Sequence, residues 1–302
     1  MWRKVAVVLG VIVVILFVVY FILRARVQPV PPHPFFAQFE AGQQLNIAHQ
    51  GGERLWPSNT MFAFQNAVDM GVDVLEMDVH QTADGVLILM HDDTVDRTTG
   101  GSGAINEMTF AEIQTLDAGY YWTEDDGQTY PFRGQGIQVP SLEEVFTAFP
   151  DMPLNIEIKP DNAAVAQAFC QTIREHGMAE KVLVGSFHDV ALSAFREACP
   201  EVATSMTENE IRPFWILNVF GLSALFQSPA EAFQVPEKAN LPVLGEVTVL
   251  TERFVQNAHA HNIAVHAWTI NETADMERLL ALGLDGIITD RPDRMGEVGS
   301  EQ

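Results

Sequence analysis

The sequence predicts an α/β fold on a parallel sheet, with an apolar helix set apart at its N-terminus. Three observations carry that expectation. From Ser141 onward strand-like and helix-like segments follow one another in regular turn, the order that lays parallel strands beneath their crossover helices. Of the 302 residues, about 275 follow the first apolar run, enough for one barrel of typical size and so for one catalytic domain. That run, Val5 to Leu23, holds 19 consecutive uncharged residues between Arg3-Lys4 and Arg24-Ala-Arg26.

As a helix the run would span roughly 28 Å, close to the hydrocarbon thickness of a bilayer. It reads as a membrane anchor over residues 1–26. The rival reading is a cleaved signal peptide, but the run is long for one and no small-x-small cleavage site follows it. Basic residues flank both ends, so the positive-inside bias nearly cancels and leaves the orientation open. Residues 27–44, with the run Gln28-Pro-Val-Pro-Pro-His-Pro34, are expected as an extended proline-rich tether. Residues 45–295 form the folded domain and 296–302 a tail.

Within the domain, Leu45 to His49 is strand-like, and Ser58-Asn-Thr60 can cap a helix running to Met70. A strand follows through Glu76 and Asp78. After Thr82-Ala-Asp-Gly85 comes another, Val86 to His91; four turn residues are too few for a helical crossover, so regular alternation breaks here. An insertion of about 98–136 is glycine-rich, with one short helix whose Thr109-x-x-Glu112 fits a capping box. It is expected over the mouth of the sheet. Beyond it, Ser141-x-x-Glu144 caps a helix, Leu154 to Lys159 is a strand, Asn162 to His176 a helix and Val182 to Phe187 a strand. The helices Thr251 to His261 and Glu272 to Leu282 alternate with the strands Ala264 to Ile270 and Gly286 to Asp290. The count is compatible with eight barrel strands if weak ones near Ala203 and Val243 are accepted.

Two of these strands carry groups that are costly to bury. In Gly71-Val-Asp-Val-Leu-Glu-Met-Asp-Val-His80, Glu76, Asp78 and His80 share one face, while Leu75, Met77 and Val79 share the other. Carboxylates at i and i+2 repel unless something positive sits between them, and a hard divalent cation is the natural occupant. Leu154-Asn-Ile-Glu-Ile-Lys159 repeats the design, turning Asn155, Glu157 and Lys159 one way. One solvated face per strand is the plainer explanation for either segment alone.

The order His49-Gln-Gly, Pro57-Ser-Asn-Thr60, Glu76-x-Asp78, Thr82-Ala-Asp-Gly85, His91-Asp92, Arg97-Thr-Thr99, Glu157-x-Lys159 and Thr289-Asp-Arg-Pro292 closely resembles the glycerophosphodiester phosphodiesterase family. Each motif is weak alone; joint order and spacing carry the likeness, over roughly positions 45 to 295. The resemblance implies a TIM (β/α)8 barrel, a divalent metal, Mg²⁺ or Ca²⁺, and hydrolysis of a glycerol-linked phosphodiester. It implies Glu76, Asp78 and Glu157 as metal ligands and His49 and His91 as acid and base, in no assigned order. Lys159 and Gln50 would meet the phosphate. Trp268, in a run resembling the family's Trp-Thr strand, would line the pocket or else serve as plain core. Two positions depart from the pattern: Gln50 stands where the family usually has Arg, and Ser58 where it commonly has Glu. Glu53 is placed to compensate for Ser58.

Pro213 to Phe226 is apolar nearly all round and carries one Trp and three Phe. It reads either as a buried helix or as a membrane-dipping, acyl-binding helix beside the mouth, similar to the lysophospholipase D-type subgroup. With the anchor it points to a bilayer as partner and to a glycerophosphodiester or lysophospholipid as substrate. A net charge of −23 disfavours nucleic acid. Cys170 and Cys199 have no zinc-like spacing; each is expected as a structural thiol in a helix, with a disulfide as the alternative. His33, His80, His176, His188, His259 and His261 are expected in helices, linker or surface. A barrel glycosidase using Glu76 and Glu157 leaves Asp78, Lys159 and two histidines idle, and a catalytically silent lipid- or partner-binding barrel rests only on Gln50 and Ser58.

Overall fold

The computed structural model describes residues 2–25, 29–241 and 245–298. Strands β1 (Leu45–Ala48), β2 (Val74–Gln81), β3 (Leu87–Leu89), β4 (Leu154–Ile158), β5 (Val182–Gly185), β6 (Ala203–Thr204), β7 (Ala232–Val235), β8 (Lys238–Leu241), β9 (Gly245–Thr248), β10 (Ala264–Ala267) and β11 (Gly286–Thr289) follow in chain order. All but β3, β8 and β9 pair in parallel, in the order β6-β5-β4-β2-β1-β11-β10-β7. A bridge between Ser205 and Ala232 joins the two ends into a closed barrel of eight strands. Because these strands run one way, the barrel has an N-terminal rim and a C-terminal mouth, where such folds build their sites.

Helices α1 (Trp2–Arg24), α2 (Pro34–Ala37), α3 (Met61–Met70), α4 (Phe110–Ile113), α5 (Leu142–Ala148), α6 (Ala163–Glu175), α7 (Asp189–Ala198), α8 (Glu208–Val219), α9 (Glu252–Ala260), α10 (Thr273–Leu280) and α11 (Pro292–Met295) complete the chain. Their ends follow local chemistry. The Thr60 hydroxyl accepts from the Ala63 N–H at the start of α3, and Gly71 closes it at φ 88°, a conformation that costs a side-chain-bearing residue. Along β2 and β4, Leu75, Met77, Val79, Ile156 and Ile158 point outward into a core with Phe64 of α3 and Phe169 of α6. The alternate residues therefore point into the barrel.

The short return after Gly85 is an antiparallel hairpin, β3 against β2, and α4 begins in the expected capping box. Near Val243 the outcome differs. Residues 242–244 lie outside the described residues, and the flanking β8–β9 pair is an antiparallel hairpin beside the barrel. The remaining stave is β7, four residues between Glu231 and Pro236, too short to show a period in sequence.

Residues 27 and 28 of the expected tether and 299–302 of the tail also lie outside the described residues. The remainder of the tether is not extended throughout. Residues 34–37 are helical, and Phe35, 1% exposed, packs on Leu183, Ala203 and Ala232 near the starts of their strands, plugging the N-terminal rim. Three phenylalanines, Phe35, Phe36 and Phe39, gain more from that burial than a solvated extended chain offers. Helix α1 is long and apolar enough to cross a membrane, with 19 residues at mean hydropathy 3.4 and none buried, a test that a signal sequence also meets. Cys170 and Cys199 form a disulfide, because α6 and α7 pack side by side and bring their Cα atoms to 5.7 Å.

Three histidines are buried; His80 departs from the expected helix, linker or surface setting, whereas His261 ends its helix as expected. His80 is an inward residue of β2, His261 donates from Nε2 to the Ser223 carbonyl at 3.0 Å, and His266 lies at the foot of the barrel near Gln234 and Phe36. Burial pulls the His266 pKa from 6.5 down to about 4. Since the folded value lies below the unfolded one, the neutral ring contributes stability that is full above pH 6.5 and fades as pH falls toward 4. The shift corresponds to about 3 kcal/mol. Urea unfolding at neutral pH and near the lower of these values will show a smaller acid-induced loss in His266→Gln than in wild type; equal losses would contradict this assignment.

Candidate active site

Register builds the centre. Parallel pairing of β2 with β4 sets Glu76 beside Asn155 and Asp78 beside Glu157, all inward and near the mouth. Lys159, just past the end of β4, places its Nζ 3.0 Å from Glu157 Oε2 and 3.1 Å from Asp78 Oδ1. Asp78 is 1% exposed; its Oδ2 accepts from Asn59 Nδ2 at 2.9 Å, and its backbone N–H donates to Asn59 Oδ1. Asn59, at φ 55°, is thus a holder of Asp78, where sequence showed only a helix cap.

Charge at this layer is unbalanced. Three carboxylates face one ammonium, a formal excess of two negative charges when all three are ionised, which a divalent cation would offset. Burial, and then Asp78, pushes the Glu76 pKa from 4.5 to about 8; burial likewise raises Glu157. Burial works against the Lys159 ammonium, but Asp78 and Glu157 more than offset it and raise its pKa. Buried Asp78 Oδ1 has an ion-pair contact to Lys159 yet no directed hydrogen bond, and Asn155 Oδ1 has no partner among the described residues. Oxygen donors, spare lone pairs and excess negative charge fit Mg²⁺ or Ca²⁺.

Both histidines flank this layer, each oriented by a carboxylate. His49 follows β1, and its Nδ1 lies 2.6 Å from Asp290 Oδ1 at the end of β11. An ionised acceptor there requires the proton on Nδ1 and leaves Nε2 turned toward Glu76 Oε2, 4.0 Å away. Burial alone would lower the His49 pKa, but Glu76 and Asp290 outweigh it and raise it from 6.5 to about 9. Asp290 in turn accepts from Asn271 Nδ2 at 2.7 Å and stands 3.5 Å from Arg54. His91 Nδ1 lies 2.8 Å from Asp92 Oδ1, Asp92 is paired with Arg97, and Arg97 reaches Glu53. His80 backs this segment, with its Nε2 3.4 Å from the His91 carbonyl.

Donor atoms of His49, Glu53 and Asp290 also lie within 4.8 Å of one another. That group is less suited to a cation than the Glu76, Asp78 and Glu157 layer. Glu53 is held by Arg97, and Asp290 by His49, Arg54 and Asn271, so little donor capacity is left.

The centre opens into a cavity of about 530 Å³. His49, Glu76, His91, Glu157, Lys159 and Trp268 form its polar end and one side. Its far wall is apolar, made by Ile211 and Trp215 of α8 with Leu241, Val247 and Val249 at the β8–β9 hairpin. Gln50 is buried beside His49, its side-chain Nε2 3.3 Å from His49 Nε2. It is 1% exposed, off the cavity wall, at φ 52°; its backbone N–H donates to Glu76 Oε2 at 2.7 Å. The tight turn through Gly51, where a Cβ would meet Ala63 and Phe64 at 2.9 Å, drives Gln50 under the site rather than over it. The insertion reaches the mouth through Trp122, whose Nε1 donates to the Glu53 carbonyl at 2.9 Å.

Residues 49–294 match the glycerophosphoryl diester phosphodiesterase family. A glycerophosphodiester phosphodiesterase of Caldanaerobacter subterraneus subsp. tengcongensis is 31% identical over 83% of this chain and 96% of its own. Human lysophospholipase D is 25% identical over 83% of this chain and 84% of its own. Among solved structures, the glycerophosphoryl diester phosphodiesterase domain of a Mycobacterium tuberculosis protein superposes with a TM-score of 0.75 at 23% identity, covering 84% of this chain and 99% of that domain. A phosphodiesterase of Oleispira antarctica, solved with the product sn-glycerol-3-phosphate, gives 0.68 at 25% identity, covering 87% and 98%. With the family matched across most of the chain and a barrel of the same form, this protein belongs to the glycerophosphoryl diester phosphodiesterase family.

Proposed function

We propose that this chain hydrolyses glycerol-linked phosphodiesters at a divalent cation held by Glu76, Asp78 and Glu157, and that it favours lysophospholipids over their deacylated counterparts. The observation that carries the reading is the largely buried layer of three carboxylates facing a single lysine between two carboxylate-oriented histidines. Relatives agree in kind: one is a lysophospholipase D, and another was solved with sn-glycerol-3-phosphate. When bound, the cation would offset charge growing on a non-bridging phosphate oxygen. Lys159 adds positive charge on the same wall. His49, held protonated at Nδ1 by Asp290 and favoured in its charged form, suits the donor that protonates the departing alkoxide. His91 then takes the proton from the attacking oxygen, whether of water or of the substrate's own glycerol hydroxyl.

The acyl preference rests on the apolar wall. Each methylene buried there gains about 0.8 kcal/mol. Trp215→Ala will therefore lower kcat/KM for a lysophospholipid by on the order of tenfold, about 1.4 kcal/mol, while leaving the deacylated compound nearly unchanged. Equal losses on both substrates reject the acyl reading and leave the phosphodiesterase standing. We read α1 as a membrane anchor, and the Cys170–Cys199 disulfide supports a barrel on the oxidising side of that membrane.

A further inference from the structure

The apolar segment after Arg212 begins at the mouth and ends at the other end of the barrel. In α8, Ile211 and Trp215 face the cavity, and Phe214 is packed in the core against Phe233 and Phe254. Its outer face changes character along its length. Near the mouth it is polar, with Asn209 exposed and Glu208 and Arg212 reaching the cavity edge; near the N-terminal rim it carries Ile216 at 44% exposure, Val219 at 52% and Phe220 at 74%. Leu222 and Leu225, also exposed, extend this patch through the turn Ser223–Leu225. Five large apolar side chains in one place on a chain of net charge −23 are out of keeping with a surface that meets only water. The apolar helix thus serves two places: Trp215 lines the cavity at the mouth, and the exposed part lies a helix length away, 12 residues or roughly 18 Å from Glu208.

Where the chain enters the barrel says what covers this patch. Val30 donates its N–H to the His261 carbonyl at 2.9 Å and accepts from Asn262 Nδ2 at 2.7 Å, while His261 bonds the Ser223 carbonyl. The tether is therefore pinned at the N-terminal rim, against the same turn that carries Leu222 and Leu225. Five residue steps separate Ala25, at the end of α1, from Val30, a reach of at most roughly 18 Å. Helix α1 itself touches the Ser223–Leu225 turn.

We propose that the barrel rests on the bilayer by its N-terminal rim, with Ile216, Val219, Phe220, Leu222 and Leu225 in the interface, so that the catalytic mouth faces away from the membrane. This rests on the anchor reading of α1. Its consequence is that substrate reaches the site from water, as dissolved monomer or on another particle, and not by moving sideways within the anchoring bilayer.

The full chain in phosphatidylcholine vesicles tests this, with a fluorophore on Phe220→Cys or on Val190→Cys. Both sites are exposed, Val190 stands at the mouth in the first turn of α7, and the natural cysteines are both in the disulfide. The fluorophore at 220 will be quenched several-fold more by a shallow nitroxide lipid than by iodide, and the one at 190 the reverse. Access of iodide to 220, lipid quenching at 190, or shielding of 220 from both quenchers, the mark of a second copy on the patch, would each overturn the docking. An alkaline carbonate wash separates the two readings: a chain that washes off overturns the anchor and the docking together, whereas a retained chain with iodide open to 220 overturns the docking alone.

Discussion

Glu76→Gln, Asp78→Ala and Glu157→Ala will each lower turnover by on the order of 10³-fold or more. Each removes a ligand from a cation expected to supply several kcal/mol of transition-state stabilisation. Glu76→Gln is the most telling of the three because it keeps the shape and removes only charge. Burial and Asp78 already hold the Glu76 carboxyl well above its ordinary range, so the metal-free variant will be at least as stable as wild type. What it will lose is the rise in Tm that Mg²⁺ or Ca²⁺ gives the wild type. A variant that keeps that rise, or keeps its turnover, would remove Glu76 from the ligand set.

His49→Ala and His91→Ala will each cost on the order of 10²-fold or more in turnover, with the metal-induced rise in Tm retained. His49 has a second, finer test. Asp290→Asn preserves the size of the group that fixes Nδ1 but removes its charge, and will lower kcat by on the order of tenfold to a hundredfold with little change in KM. The separation matters, because a merely structural Asp290 would move Tm and KM along with kcat. If either histidine variant loses metal binding in proportion to activity, that histidine is a ligand or a structural residue.

Much of the site was legible because strand geometry is a two-residue period. Glu76, Asp78, Asn155 and Glu157 could be placed on inward faces by alternation alone, and pairing of β2 with β4 then brings them level. What pattern cannot show is which loop turns under the site. Gln50 adjoins His49 in sequence, yet the Gly51 turn buries its side chain against His49 Nε2 and points its N–H at Glu76. Asn59 and Asp290 were missed for the opposite reason: each lies in a quoted motif but acts through a partner on a distant strand, Asp78 and His49. The position of Asp290 at the C-terminal end of the last barrel strand was the available signal. His80 is visibly on the face of Glu76 and Asp78, but it lies one step nearer the mouth, where a strand end looks exposed, and the β3 hairpin buries it. β7 and the Phe35 plug escaped because four-residue segments carry no period, so burial decided them.

The most direct measurement follows hydrolysis of glycerophosphocholine and a lysophospholipid by ³¹P NMR, with the full chain first stripped by chelator and then titrated with Mg²⁺ or Ca²⁺. Turnover is predicted to vanish in chelator, return with one of the two ions, and stay absent in Glu76→Gln at every ion concentration. Full hydrolysis in excess chelator would contradict the metal centre, and no hydrolysis under any ion would contradict the enzyme itself.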